Sequence, residues 1–329
     1  MRLNAQVLGH HYYCCERMFR LDVANLLLLA RSILPTTYRT SAGDITNNVE
    51  GLCIVLRRLA FPVRWYDLVS IFGRQEGSLS RIFIATMDKI MAFWGHLLQF
   101  DPSRFQHRLQ EWAAAIAAHP AGIDPLLRIA LFIDGTLRGT TRPHPAVLPH
   151  GVTYDMLQRI MFSGHKWFHG LKHQGITAPN GIIVGLFGPV VGCRNDCELL
   201  GRSGVTALFP LLNVAGVVYR IYGDGAYPNL THVMRAFKAP TPGSWQAVMN
   251  AAFALVRISV EWSFGMITNT FQAVDFRRWQ RVFLTRPALQ YQVATFLMNC
   301  ISCLRGKNII SMQFNCAPPT LAEYLSGNW

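Results

Sequence analysis

The stretch LRIALFIDGT, residues 127–136, constrains the fold of this chain more than any other. Residues 129–133 are all apolar, as in a strand that is buried on both faces. An acid and a glycine, Asp134 and Gly135, follow directly. We therefore expect a buried strand that ends on a carboxylate, which acts either as a turn residue or as a ligand.

The pattern of apolar residues changes near this strand. Residues 1–125 have helical periodicity, and Pro120, Gly122 and Pro125 mark a boundary before the short apolar strands that begin at residue 126. We expect a helical domain over 1–125, a mixed α/β core over 126–290, and a C-terminal helix with an irregular tail over 291–329 that packs on the core.

Individual elements can be assigned from local signals. Residues 47–62 have helical spacing, with Asn48 as the expected cap and Pro62 as the stop. Residues 138–151, rich in proline, glycine and arginine, predict an exposed loop. Two strands around a turn at 179–181 predict a hairpin, and a long helix is expected over about 245–268.

Residues 64–90 resemble a helix-turn-helix. A short apolar helix is followed by Gly73 and then by a helix with a polar beginning, an arrangement whose second helix can enter a DNA major groove. A plain helical hairpin has the same pattern. If DNA is bound here, the side chains expected to face it are Arg74, Gln75, Ser78, Ser80 and Arg81.

Net charge is the first indication of a partner. The chain has 31 Lys and Arg residues against 18 Asp and Glu, a formal charge of +13, which favours a polyanion such as DNA. A GC-rich genome would also enrich arginine. The longest apolar runs fall short of the roughly 18 residues needed to cross a bilayer, so we expect neither a membrane span nor, given charged residues near the N-terminus, a secretion signal. The eight cysteines indicate a reduced, intracellular protein with buried thiols rather than a zinc site.

Three acids are candidates for one metal site. Asp134 follows the first strand, Asp224 follows a second short strand in YRIYGDGAYP, and Glu261 lies in the helical stretch LVRISVEWSFG, which looks largely buried. Carboxylate oxygens suit Mg²⁺, and two such ions would support phosphodiester chemistry without a nucleophilic side chain. The alternatives are that both aspartates form turns and that Glu261 pairs with Arg257 one helical turn earlier.

Several stretches in the same order resemble transposases of the PIF/Harbinger superfamily, whose nuclease domain is called the DDE superfamily endonuclease. They are LCIVLRRLAFPVRWYDLVSIFGRQEGSLSRIF, FIDGT, SGHKWFHGLKHQGITAPNGIIVGLFGPVVGCRND, YGDGAYP, VRISVEWSFG and FNCAPPTLAEYL. Together they cover almost the whole length of the chain.

The resemblance implies an RNase H-like catalytic domain in which Asp134, Asp224 and Glu261 are the first, second and third acids. It implies cut-and-paste transposition with Mg²⁺ or Mn²⁺, in which the ends of the element are cleaved and the freed 3′-hydroxyls attack target DNA. It also implies a nuclear location, and its partners would be a Myb-like DNA-binding accessory protein and further copies of the chain.

For several other polar residues the sequence allows two alternative roles. Relatives commonly have His-Asp where this chain has Asn195 and Asp196, so Asp196 is either a supporting acid or, as we favour, the cap of the following helix. His165, Lys166 and His169 are expected on a strand beside Asp134 and could contact phosphate or simply be exposed. Arg277, Arg278 and Arg281 are better candidates for a phosphate track, with Trp279 available for stacking; a solvated basic helix end is the alternative.

Two other functions remain open at this point. A domesticated descendant of a transposase would bind DNA or a partner protein without cutting DNA. A glycoside hydrolase with two carboxylates would explain neither the basic charge nor the helix-turn-helix pattern.

Overall fold

The structure is a computed structural model that describes residues 12–143 and 150–329. The N-terminal residues 1–11 and residues 144–149 of the expected loop lie outside the described part. The chain divides into two compact units. Unit 1 contains Met1–His96 and Ile267–Ile301, and unit 2 contains Leu97–Met266 and Ser302–Trp329.

Unit 1 is mainly helical. Its first elements are α1 (Tyr12–Phe19), α2 (Val23–Ile33), β1 (Thr37–Arg39), β2 (Ile45–Asn47), α3 (Asn48–Ala60), α4 (Trp65–Phe72) and α5 (Glu76–Trp94). The antiparallel pair β1 and β2 interrupts a region that was expected to be helical throughout. These strands are only three residues long, too short to leave a visible alternation in the sequence.

Helix α3 begins at Asn48, and its cap lies one residue earlier than expected. The side chain of Asn47, not Asn48, accepts a hydrogen bond from the backbone N–H of Glu50 at 2.8 Å. The helix stops before Pro62, as predicted, because a proline disfavours the helical conformation in the residue before it. Its buried face, which includes Leu52 and Leu56, forms part of the unit 1 core.

Helices α4 and α5 are separated by Gly73, as the sequence pattern predicts. Gly73 has a φ of 63°, the left-handed conformation that ends many helices and that glycine adopts most readily. Helix α5 begins at Glu76, slightly before the expected start at Ser78. Two helices joined at a glycine turn are therefore present, which agrees with a helix-turn-helix and with a plain helical hairpin alike.

The remaining elements follow in chain order, and all of them except the helix Pro287–Arg305 begin in unit 2. They are α6 (Leu109–Ala117), β3 (Ile129–Gly139), α7 (Tyr154–Met161), β4 (Phe162–Ser163), β5 (Phe168–Thr177), β6 (Ile183–Val191), α8 (Asp196–Ser203), β7 (Asn213–Val214), β8 (Val217–Val218), β9 (Arg220–Gly223), β10 (Val233–Arg235), α9 (Trp245–Thr270), α10 (Pro287–Arg305), α11 (Ile309–Gln313) and α12 (Leu321–Ser326). The end of α9 and most of α10 belong to unit 1.

Unit 2 contains a mixed six-stranded sheet, which confirms the predicted α/β class. Its main strands lie in the order β6-β5-β3-β9-β10, and β4 pairs with the first residues of β5. Strands β3, β9 and β10 are parallel, whereas β5 is antiparallel to β3 and β6 is antiparallel to β5. The predicted hairpin of β5 and β6 is therefore confirmed.

Strand β3 is the centre of this sheet. Its residues Ile129 to Ile133 are at most 2% exposed, as expected for a strand with neighbours on both sides. The strand does not end at Asp134, however. Its parallel pairing with β9 stops at Ile133, but its antiparallel pairing with β5 continues to Gly139.

Helices cover both faces of the sheet. On one face α9 packs against β5, where the hydroxyl groups of Thr177 and Ser263 lie 3.0 Å apart. A Cβ atom on Gly175 would lie 2.6 Å from the ring of Phe264, so only glycine permits α9 to approach this closely. On the other face α8 approaches β3 at Gly135.

The end of the chain is more regular than predicted. The expected irregular tail contains the short helices α11 and α12, each of which begins with a capping box. Asn308 caps α11 and also donates a 2.9 Å hydrogen bond from Nδ2 to the carbonyl of Asn180. This bond joins the tail to the β5–β6 turn inside unit 2.

The division into units differs from the expected domain boundaries. Residues 97–125 belong to unit 2, where α6 packs against β3. Residues 267–301 belong to unit 1, where Phe296 stacks on Trp94 and Arg286 pairs with Asp88. A change in apolar periodicity along the sequence does not show that a later segment packs back into the first unit.

Among the described residues, α9 is the one helix with the length and apolar composition to cross a membrane. A core helix of a globular domain passes the same test. In unit 2 the side chains of Val256, Val260 and Phe264 are at most 6% exposed, and the helix also carries Arg257 and Glu261. These contacts are those of a core helix.

Candidate active site

Two of the three candidate acids lie at the same edge of the sheet. The last parallel pair of β3 and β9 joins Ile133 to Gly223, and Asp134 and Asp224 are the next residue on each strand. Adjacent strands lie about 4.8 Å apart, so the two residues lie close together at the point where the parallel pairing of β3 with β9 ends.

The backbone holds each aspartate in place. Oδ1 of Asp134 accepts a hydrogen bond from the N–H of Gly135 at 2.8 Å. Oδ1 of Asp224 accepts one from the N–H of Ala226 at 2.9 Å. Since each of these oxygens has a second lone pair and each carboxylate has a second oxygen, both groups retain capacity to bind a cation.

Helix α9 brings the third acid to the site through Arg257. One guanidinium nitrogen of Arg257 lies 3.3 Å from Oδ2 of Asp134, and another lies 2.5 Å from Oε1 of Glu261. A single cationic group thus contacts both the first and the third acid. The pairing of Glu261 with Arg257, kept open on sequence grounds, is present.

Glu261 is more exposed than its apolar neighbours suggested. Its side chain is 50% exposed, whereas that of Asp134 is 14% exposed. The helical pattern correctly predicts a buried face, but Glu261 lies outside that face. Its charge is therefore partly solvated. The expectation that Glu261 is a buried acid was therefore wrong.

Asp134 has an unfavourable environment for its charge. Burial raises the pKa of Asp134 from 3.8 to about 6, against the opposing effects of the Gly135 hydrogen bond and the Arg257 charge. The negative charges of Asp224 and Asp196 raise it further. A carboxylate that is buried beside other carboxylates is a frequent feature of cation sites and active sites.

The same acids favour the charged form of Arg257. Burial alone would lower its pKa, but the charges of Asp134, Glu261 and Asp224 together raise it above the ordinary value. The guanidinium therefore stays protonated. In the residues that the structure describes, no group of three or more acidic, histidine or cysteine side chains is arranged to hold a metal ion, and this cation lies among the acids instead.

Asp196 is not the helix cap that we favoured. Asn195 caps α8 by accepting a hydrogen bond from the N–H of Glu198 at 2.8 Å. Asp196 instead forms a 2.9 Å ion pair with Lys172 on β5. A Cβ atom on Gly135 would lie 1.8 Å from the carboxylate of Asp196, so that position requires glycine.

The sequence analysis did not single out Lys172 or Tyr227. The hydroxyl group of Tyr227 is buried and has no hydrogen-bond partner among the described residues. Burial raises the pKa of Tyr227 strongly, and the charges of Asp196, Asp134 and Asp224 add to the effect. Its position three residues after Asp224, in the same short motif, was the available signal.

The helix–turn–helix residues have different surroundings. Arg74 is largely buried and forms an ion pair with Glu50 at 2.6 Å, so it is not available on the surface. Arg81 is exposed and pairs with Asp44 at 2.6 Å. Gln75 is exposed, and Ser78 hydrogen-bonds the same Asp44. The placement of Arg74 on a DNA-facing surface is corrected, because its charge balances an interior glutamate.

The predicted basic residues near β5 do not all lie on the strand. His165 and Lys166 lie in the exposed turn between β4 and β5, and His169 is on β5 with its ring against Phe162. The structure does not group these three side chains with the acids by any contact that it describes.

Arg277, Arg278 and Arg281 lie in an irregular segment of unit 1 and are exposed, as expected. The intervening Trp279 has its ring against the guanidinium of Arg58 at 3.8 Å. This tryptophan therefore stacks on an arginine of its own chain.

These observations define a mixed-sheet domain with an acidic site where the parallel pairing of β3 and β9 ends. Residues 133–304 match the family model of the DDE superfamily endonuclease. The match covers more than half of the chain, and the chain belongs to this superfamily of transposase-like nucleases. Endonuclease domains of the superfamily generally use divalent metal ions and act on DNA. No curated protein and no solved structure matches the chain significantly.

Proposed function

We propose that this chain is a transposase of the PIF/Harbinger type, a DNA endonuclease and strand-transferase in which Asp134, Asp224 and Glu261 bind two Mg²⁺ or Mn²⁺ ions. The observation that carries the proposal is the bridge formed by Arg257. Because one guanidinium contacts Asp134 and Glu261, two carboxylates far apart in sequence converge on a position that already accommodates a cation.

The strand order supports an RNase H-like catalytic domain. Three strands, β3, β5 and β6, form an antiparallel meander, and β9 and β10 extend the other side of β3 in parallel. When β3, β5, β6, β9 and β10 are counted in chain order, Asp134 lies on the first strand and Asp224 follows the fourth. Glu261 lies on α9, the helix that follows the fifth strand. The three acids thus follow one another in the chain order that the resemblance to DDE transposases implies.

The donor set fits the metals proposed. All three side chains offer oxygen ligands, which Mg²⁺ prefers. Divalent ions held there would activate the attacking water or 3′-hydroxyl and stabilise the leaving oxygen of the phosphodiester. The chain itself contributes the carboxylates, the low exposure of Asp134, and a cationic group, Arg257, beside two of the acids.

The proposal includes partners and location. The net charge of +13 supports binding of transposon ends and target DNA. By resemblance alone we propose a Myb-like accessory protein, a homo-oligomeric assembly and a nuclear site of action. The rival function is a domesticated descendant that binds DNA without cutting it.

The test is cleavage of supercoiled and transposon-end DNA in Mg²⁺ or Mn²⁺. We expect Asp224→Asn to lower the cleavage rate by at least about 100-fold, since a metal ligand is lost. Asp155→Asn, an exposed acid of the same unit, should cut as fast as the parent and controls for the change in charge. Equal rates for Asp224→Asn and the parent would contradict the assignment, and no cleavage by the parent would favour the domesticated rival.

A further inference from the structure

Unit 1 contains an arginine whose charge is not balanced by any acid. The guanidinium carbon of Arg58, on α3, lies over two tryptophan rings, 4.3 Å from the centroid of Trp65 and 3.8 Å from that of Trp279. Among the residues that the structure describes, it makes no hydrogen bond and no ion pair, and its Nη1 atom is buried. The group is therefore in contact with two aromatic rings, whereas its N–H groups have no acceptor among the described residues.

The two tryptophans hold this guanidinium in a fixed orientation. Cation–π contacts of this kind contribute about 0.5–2 kcal/mol each, more when water is excluded. Trp65 is itself fixed by an edge-to-face contact with Phe83 at 5.5 Å. An arginine that is held by two aromatic rings loses little further freedom when it binds a ligand.

A cavity of about 160 Å³ lies beside Arg58. Apolar side chains form much of its wall, and Ser80 and Arg286 are among its polar residues. None of the lining residues is acidic, and Arg286 is paired with Asp88. Burial lowers the pKa of Arg58 to about 10, and no carboxylate charge counteracts the effect. The guanidinium still carries its charge at neutral pH.

An unpaired guanidinium edge beside a cavity is suited to an oxyanion, since its N–H groups match two oxygens of one phosphate or carboxylate. The surroundings favour phosphate from a nucleic acid. Arg278 and Arg281, on the segment that carries Trp279, are exposed, and Ser80 comes from the second helix of the helix–turn–helix. A nucleic acid has further phosphates that can contact Arg278 and Arg281, whereas a single carboxylate of a partner protein can pair only with Arg58.

We propose that the cavity of unit 1 binds one backbone phosphate of duplex DNA, with Arg58 as the ligand-binding residue and Trp65 and Trp279 as positioning residues. The site is separate from the three acids and takes no part in catalysis. It rests on DNA being the partner under the proposed function, but binding can be measured in EDTA, where cleavage does not occur. Failure here and failure of the nuclease proposal are therefore distinguishable.

The experiment is fluorescence anisotropy of a labelled 30-base-pair duplex with the full chain in EDTA, over a range of salt concentrations. Loss of one phosphate contact should reduce the slope of log K against log salt by about one. We expect this reduction, with about tenfold weaker binding at low salt, for Arg58→Gln. Arg31→Gln removes the same charge from an exposed position of the same unit and should leave the slope unchanged.

A second variant guards against loss of folding. Ser80→Asp places a carboxylate in the cavity beside Arg58 without disturbing the stacked rings, and it should weaken duplex binding while preserving the melting temperature. An unchanged salt slope in both Arg58→Gln and Ser80→Asp overturns the proposal.

A parallel thermal-shift series with sodium phosphate and sodium chloride at equal ionic strength tests for free phosphate as the ligand. Stabilisation of the parent by inorganic phosphate, together with an unchanged duplex slope in the variants, would assign the cavity to free phosphate and contradict the DNA contact. A reduced slope of log K against log salt for duplex binding by the variants supports the DNA contact, whether or not inorganic phosphate stabilises the parent.

Discussion

The guanidinium of Arg257 lies 3.3 Å from the carboxylate of Asp134, so the most buried acid of the candidate site already has a cation beside it. The same guanidinium contacts Glu261. A divalent ion that binds these acids competes with Arg257, because both positive charges would lie beside the same carboxylates and repel each other. This competition gives the site properties that can be measured separately from cleavage.

Replacement of Arg257 tests the competition directly. Arg257→Gln removes the internal cation, so Mn²⁺ should bind about tenfold more tightly, a gain of about 1.4 kcal/mol, at pH 8 where Asp134 is ionised. The metal-free variant should be less stable than the parent, because the acids then repel one another without compensation. Arg257→Lys keeps a charge near the acids and should bind Mn²⁺ about as weakly as the parent. Calorimetric titration gives both affinities, and weaker Mn²⁺ binding by Arg257→Gln would show that the arginine assists the metal instead.

The raised pKa of Asp134 predicts that a neutral side chain is more stable there in the absence of metal. Because the shift from 3.8 to about 6 costs the ionised form about 1–3 kcal/mol at pH 7, Asp134→Asn should raise the free energy of unfolding in EDTA by a comparable amount. Urea unfolding at pH 7 measures this difference. A clear loss of stability would mean that the contact with Arg257 outweighs the burial of the charge.

The pH dependence of the parent follows from the same shift. The folded protein binds a proton at Asp134 more tightly than the unfolded chain does, so this group stabilises the metal-free fold below pH 4 and loses that contribution as the pH rises through about 6. Metal binding has the opposite dependence, since it requires the ionised carboxylate. The rise in melting temperature caused by Mn²⁺ should therefore diminish as the pH falls below about 6. A constant rise between pH 5 and pH 8 would be inconsistent with this role for Asp134.

Arg74 should be important for folding rather than for DNA binding. Arg74→Met leaves Glu50, which is 2% exposed, without its ion pair and should lower the free energy of unfolding by about 3–5 kcal/mol. Arg64→Met disrupts a pair that is 77% and 39% exposed and should leave stability nearly unchanged. Chemical unfolding compares the two variants. Equal stabilities would show that the Arg74–Glu50 pair contributes no more than a surface contact.

The features of the fold that depend on local sequence were predictable. The alternating residues of β5 and β6 with a turn between them indicate a hairpin, and Gly73 marks the end of α4. The length of β3 could not be predicted, because its last residues are held by β5 and their own composition gives no strand signal. Strand length here is a property of tertiary pairing.

The candidate site was predictable in its residue types but not in its electrostatics. The sequence places Asp134 and Asp224 directly after short apolar stretches, and Asp224 does follow the end of β9, whereas β3 continues past Asp134. The exposure of Glu261 and the bridge through Arg257 depend on which side of α9 meets the sheet, and the apolar pattern of a long helix defines that side only roughly. The Arg74–Glu50 pair and the Arg58 cavity join residues from separate elements, for which sequence spacing gives no signal.

The central claim is that Asp134, Asp224 and Glu261 share bound divalent metal, and electron paramagnetic resonance of free Mn²⁺ tests it most directly. At pH 8 the parent should deplete free Mn²⁺ from solution, and Asp134→Asn, Asp224→Asn and Glu261→Gln should each bind at least about tenfold more weakly. Asp155→Asn should bind as the parent does. Parent-like Mn²⁺ binding by all three single variants would contradict the claim.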